Sequence, residues 1–262
     1  MKTAMVLLAV VLGTCFADIS LTLENTFPAQ GKAMGLDVVE NPSGPEVSLL
    51  GTNNTDDAVY FYTPSGMVTD TIQLDPLNAS CFGAVYVLDE SMLYTNDWEH
   101  TDLFYTDDMG STWSTVQDPA EYSGRGLAYH DNLFWTTCGY SGLLQFTPGY
   151  PPIQTFILPE VYGQLSGLAV FPLEGATVIA VTTYSDHNIW FYELDGSSLQ
   201  FLDLAPCPAT CQASYGLAYC ESRDTIFWSY RTASGEYLIS EISFDVNQPL
   251  AQYTWSGIKH YF

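Results

Sequence analysis

The sequence predicts an all-β fold, a five-bladed propeller of four-stranded antiparallel blades, on three observations. Glycines that open an apolar strand recur at Gly35, Gly83, Gly126, Gly167 and Gly216, at intervals of 48, 43, 41 and 49 residues. Each interval has room for four short strands separated by turn residues, the size of one blade. No amphipathic helical run occurs beyond residue 17, so the 3.6-residue period that marks a helix is missing. Blades set around an axis also hide most of the strand edges that an open sheet leaves unpaired.

Residues 1–17 read as an export signal. Lys2 supplies a positive start, Met5 to Gly13 an apolar run, and Cys15-Phe16-Ala17 small residues for cleavage after Ala17. The run is well short of the roughly 20 residues that span a bilayer. Residues 18–262 are expected to form one propeller domain. Its N-terminal strand, Ile19 to Leu23, lies 12 residues before Gly35, as Leu204 lies 12 before Gly216; it is therefore expected to latch the last blade from outside. Ala251 to Trp255 competes for that place, and Gly257 to Phe262 resembles another inner strand. A sixth blade would lack its middle strands.

Within a unit the expected order is strand, turn, strand, loop, strand, turn, strand. In the third it reads Gly126 to Tyr129, Leu133 to Thr137, Leu143 to Thr147 and Gln154 to Leu158, reversing at His130-Asp131-Asn132 and Pro148-Gly149. The fourth repeats it with Val178 to Thr182, Ile189 to Leu194 and Leu199 to Leu204, turning at Asp195-Gly196.

Six basic residues face 30 acidic ones, a net charge of −24. Such a field repels phosphate backbones and anionic membranes, which excludes nucleic-acid binding and electrostatic membrane attachment. It also favours a soluble monomer. No cofactor is expected, and calcium is the one ion the acid excess makes worth testing. Cys207-Pro-Ala-Thr-Cys211 is the expected local disulfide. No Cys/His spacing suits zinc. Asn53-Asn54-Thr55 and Asn78-Ala79-Ser80 are glycosylation sequons.

Thr106-Asp107-Asp108-Met109-Gly110-Ser111-Thr112-Trp113 fits S/T-x-D-x-G-x-T-W. It resembles the Asp-box of sialidase-like propellers, in which Thr106, Asp108, Gly110, Thr112 and Trp113 would be structural. The remaining units resemble NHL and YWTD-type repeats: Phe134-Trp135-Thr136-Thr137 and Phe227-Trp228-Ser229-Tyr230 stand in the YWTD register without its closing Asp. Those resemblances imply a propeller that serves as scaffold, ectodomain or enzyme.

Chemistry is sparse. Arg125, Arg223 and Arg231 lie in unlike segments and do not make the arginine triad of a sialidase. Asp37 is a lone acid on an inner strand, read as a hydrogen-bonded residue of the channel wall. Phe82-Gly83-Ala84-Val85, Met92-Leu93-Tyr94 and Gly126 to Tyr140 are similar to plant-type glutaminyl cyclase repeats, yet Ala84 occupies the place of that family's essential Glu. What remains is the face formed by loops between second and third strands, with Asn54, Asp56 and Asp97 beside the expected binding residues Trp98, Glu99, His100, Tyr140, Tyr184, Asp186, His187, Tyr230 and Arg231. Aromatic rings beside polar groups suit a glycan, peptide or protein. The sequence thus reads as a secreted or periplasmic non-catalytic binding propeller with no catalytic residues and no metal site. The alternative is a cyclase-like or carbohydrate-active enzyme working at the channel mouth.

Overall fold

A computed structural model describes residues 18–40 and 47–246. The expected signal (residues 1–17) and the terminal segments 251–255 and 257–262 lie outside the described residues. Among the described residues, twenty strands form five four-stranded antiparallel sheets around one axis. The first, β1 (Ile19–Pro28), leaves its sequence neighbours. Blade one is β2 (Ala33–Glu40), β3 (Val47–Asn53), β4 (Ala58–Tyr62) and β5 (Val68–Gln73). Blade two is β6 (Cys81–Val87), β7 (Met92–Asp97), β8 (Asp102–Thr106) and β9 (Ser114–Gln117). Blade three is β10 (Gly124–His130), β11 (Leu133–Cys138), β12 (Gly142–Phe146) and β13 (Gln154–Ile157). Blade four is β14 (Leu165–Leu173), β15 (Ala176–Thr183), β16 (Asn188–Asp195) and β17 (Ser198–Pro206). Blade five is β18 (Ala213–Cys220), β19 (Thr225–Arg231), β20 (Tyr237–Val246) and, outermost, β1. That last pairing runs from Ile19↔Val246 to Pro28↔Leu238.

Middle strands such as β19, TIFWSYR, are apolar on both faces because each blade is covered on both sides by its neighbours. Five clusters of buried residues fill the five gaps between blades. The aromatic second strands supply their bulk. Trp135 stacks on Phe156 at 5.7 Å between blades three and four. Trp228 stacks on Tyr230 at 4.0 Å between blades four and five.

Near the axis the inner strands share one device. Their pairing with the second strand slips at the same place in every blade, at Met34-Gly35, Phe82-Gly83, Arg125-Gly126, Ser166-Gly167 and Tyr215-Gly216. A bulge of this kind re-aims a side chain and frees a backbone donor. Each freed glycine N–H donates to a side chain of the second strand: Thr52 Oγ1 (2.7 Å), Asn96 Oδ1 (2.7 Å), Thr137 Oγ1 (2.9 Å), Thr182 Oγ1 (3.1 Å) and Ser229 Oγ (2.8 Å). Four of these side chains then donate onward to the next blade, to the carbonyls of Phe82, Arg125, Tyr215 and Ala33. A buried belt therefore ties neighbouring blades together, and Ser229 closes it from blade five to blade one.

Ser229→Ala strands two buried backbone groups, the Gly216 N–H and the Ala33 carbonyl. It is expected to cost about 2–4 kcal/mol in denaturant unfolding. Ser229→Thr, which restores the hydroxyl found at positions 52, 137 and 182, is expected to stay within about 1 kcal/mol of the parent.

The Thr106 to Trp113 turn joins β8 to β9. Asp108 Oδ1 accepts from Thr106 Oγ1 (2.8 Å) and Thr112 N (2.9 Å), and its Oδ2 accepts from Thr112 Oγ1 (2.8 Å). Those hydrogen bonds hold the Asp108 carboxyl below the usual carboxylate range. Gly110 takes φ +83°, and Trp113 Nε1 donates to the Gln73 carbonyl of blade one. Both sequon asparagines are buried and their amides are engaged: Asn53 Nδ2 donates to Asp56 Oδ2 and Asn78 Nδ2 to Thr95 Oγ1. As folded, neither amide is open to modification.

Candidate functional site

The bulges place five side chains, Met34, Phe82, Arg125, Ser166 and Tyr215, at equivalent positions just before the ring glycines. Met34, Phe82 and Tyr215 pack with Ala213 and Tyr237 into an apolar plug. Arg125 is the charged member of the set, and it turns into a pocket of about 400 Å³ together with Lys32, Asn54, Phe82, Trp98, Gln164 and Tyr184. The loops that form this rim are tied to one another. Tyr184 N donates to the Gln164 carbonyl and Ser214 N to the Tyr184 carbonyl, while Trp98 N lies 3.5 Å from the Ser80 carbonyl.

The Arg125 guanidinium lies 4.5 Å from the Phe82 ring centroid and 5.7 Å from that of Trp98. Burial lowers its pKa, and the Tyr140 and Tyr184 hydroxyls act in the opposite sense. A guanidinium in such a place remains a cation. With the Gln164 amide turned so that its oxygen faces the guanidinium, that oxygen accepts from Nη2 and Nε. Lys32 Nζ sits 5.9 Å from the Tyr184 ring and 5.7 Å from the Tyr215 ring, and the Arg231 guanidinium is 5.7 Å from Tyr237. Among the described residues none of these three cations forms an ion pair with a carboxylate. The pocket lining itself holds no Asp or Glu.

Of the residues expected on this face, Trp98, Tyr140 and Tyr184 converge on Arg125 and are 41%, 71% and 36% exposed. Others are engaged beside it. His100 Nδ1 lies 3.4 Å from Asp97 Oδ1, with its ring edge-on to Phe104. Asp97 is buried and also accepts from the Ser80 and Glu99 amides. Asp186 Oδ1 accepts from His187 N and Asn188 Nδ2, and His187 Nδ1 is 3.0 Å from Cys211 Sγ. Among the described residues no group of three or more His, Cys, Asp or Glu could hold a metal ion. Two expectations are corrected. Tyr230 is 3% exposed, because β19 runs on to Arg231 and Tyr230 shares the inter-blade face of Trp228. Cys207 and Cys211 are thiols rather than a bridge, and burial pushes Cys211 up to about 11.

Below the ring of glycines lies a second cavity, of about 280 Å³, lined by residues that follow them, including Asp37, Tyr86, Tyr129, His130 and Tyr219. Asp37 Oδ2 accepts from Tyr86 N at 2.7 Å. Burial in the wall pushes its carboxyl up to about 7. No other carboxylate or histidine among the described residues bonds to it.

No protein-family model matches this chain, and no curated sequence matches it. Its fold, however, is widely shared. Among solved structures it is similar to the PQQ-bound aldose sugar dehydrogenase of Streptomyces coelicolor, at 13% identity and a TM-score of 0.59, with 87% of this chain and 99% of that chain covered. It is also similar to virginiamycin B lyase from Staphylococcus aureus, at 13% identity and a TM-score of 0.47, covering 88% and 76%. At such identity the first likeness speaks to the propeller fold alone. Among the described residues no helix is long and apolar enough to cross a membrane.

Sequence reading of the rim missed Arg125, Lys32, Phe82 and Gln164 as site residues, because it drew the face from loops between second and third strands. The available signal was the residue before each repeat glycine, which reads Met, Phe, Arg, Ser and Tyr.

Proposed function

We propose that this chain is an exported, non-catalytic propeller that binds a glycan, peptide or protein at the pocket around Arg125. The observation that carries this reading is a partly buried guanidinium held against Phe82 and Trp98, without an ion pair to any carboxylate among the described residues, and bordered by exposed Tyr140 and Tyr184. Exposed aromatic rings around a fixed cation provide shape and contact area with little conformational cost. Acid–base chemistry would need two converging ionisable groups of shifted pKa. Two carboxyls are raised to about 7, Asp37 and Asp118; Asp37 lies on the far side of the glycine ring, and among the described residues neither forms a hydrogen bond or ion pair with a second ionisable side chain. In this reading the Thr106 to Trp113 turn is an Asp-box with a structural role, and the aromatic second strands are NHL- or YWTD-like.

The test is a glycan and peptide array probed with the folded protein, with and without calcium. Trp98→Ala combined with Tyr184→Ala is expected to weaken array binding at least tenfold, equivalent to about 1.4 kcal/mol, with the melting temperature little changed. Binding that is indifferent to the pair discards this face.

A further inference from the structure

Resting on that reading, we infer that the Arg125 pocket takes a small ligand whose carboxylate is carried on a ring. The charge distribution comes first. The chain has six basic residues against 30 acidic ones, yet Lys32, Arg125 and Arg231 meet aromatic rings around this rim and none ion-pairs with a carboxylate among the described residues. In a protein so rich in acids, a cation left without one is a specific arrangement. Arg231 Nε is buried and has no hydrogen-bond partner among the described residues.

The guanidinium supplies the second argument. Its charge is partly removed from water, a cost that an anion bound in the pocket would offset. Gln164 takes the Nε side of the fork. Of the five N–H donors, the outward edge, one from each Nη, is left for two parallel hydrogen bonds, the geometry a carboxylate accepts. Lys32 stands across the pocket as a second positive charge on a flexible stem. Trp98 and Tyr184 flank the pocket with exposed ring surface, so the body behind the carboxylate is a ring that can stack. A pocket of about 400 Å³ is the size of a small-molecule site.

The ring can be a sugar or an aryl group, and the experiment separates them by titrating the folded protein calorimetrically with glucuronate against glucose and benzoate against benzamide. At least one acid is expected to bind at least tenfold tighter than its neutral counterpart, with a Kd of about 1 mM or tighter. Arg125→Gln is expected to abolish that preference and Arg125→Lys to lose most of it, since a point charge lacks the fork. Lys32→Gln, just before β2 rather than within an inner strand, is expected to weaken the acid by a smaller factor. It serves as the second variant should Arg125→Gln shift the melting temperature. Equal binding of acid and neutral probes, no binding by either acid, or a preference untouched by both variants overturns the inference. If array ligands without a carboxylate bind through Trp98 and Tyr184 while neither acid does, the binding face stands and the carboxylate assignment falls. If neither acids nor array ligands bind, both fall.

Discussion

Gly35→Ala is expected to destabilise the protein by upward of about 3 kcal/mol, or to prevent ring closure outright. A Cβ at Gly35 would lie 2.3 Å from the Phe82 carbonyl oxygen and 2.7 Å from Gly83 Cα. Both are backbone atoms held by the belt, so neither can swing aside. The same conflict recurs around the ring, from Gly83 to the Arg125 carbonyl (2.5 Å), Gly126 to that of Ser166 (2.7 Å), Gly167 to that of Tyr215 (2.4 Å) and Gly216 to Leu36 N (2.7 Å). None of these glycines has a positive φ, so it is the absence of a side chain that matters. Gly196→Ala is the contrast. Its φ is +58° and nothing lies within 4 Å of an added Cβ, so only backbone strain of about 1 kcal/mol applies. Denaturant unfolding of the two variants checks the ranking, and a Gly35→Ala protein as stable as Gly196→Ala would contradict the ring as described.

The second large effect is a pH-dependent gain in stability on Asp37→Asn. The Asp37 carboxyl is raised from an ordinary 3.8 to about 7 by burial, so the folded state holds a proton that the unfolded chain has released over that range. Stability therefore falls as pH rises from about 4 through about 7, and the full penalty stands above it. The difference between the two values corresponds to on the order of 4 kcal/mol, less what channel water recovers. Asparagine keeps the acceptor for Tyr86 N and removes the titration. The variant is expected to match the parent near pH 4 and to melt higher at pH 8.5. Because the other carboxylates add their own repulsion at high pH, the quantity to read is the difference between variant and parent. Parallel pH profiles would overturn the assignment. Asp118 behaves alike, raised to about 7 with Oδ2 buried and unpartnered.

The fold was legible because its strictest requirement, a glycine where five backbones meet, admits one residue type and therefore repeats visibly. The belt was hidden because Thr52, Asn96, Thr137, Thr182 and Ser229 meet one need with three residue types. Trp98, Tyr140 and Tyr184 were legible as rim aromatics in loops. Arg125 was counted as one of three scattered arginines, since its role depends on a bulge that brings it beside Trp98, 27 residues earlier in the chain. Tyr230 and the Cys207/Cys211 pair misled for the same reason: proximity in sequence was taken for shared environment, while neighbouring blades covered both faces of β19 and the loop turned Cys211 toward His187.

The pairing of β1 with β20 has a consequence during synthesis. β1 is made before the blade it completes, and its full pairing waits until the chain has been translated through Val246. Four blades can assemble from contiguous segments in the meantime, but the wheel is sealed only when β1 meets β20, a long-range step with a large loop to close. The pocket around Arg125, drawn from residues 32–184, belongs to the portion that can be built before that final suture.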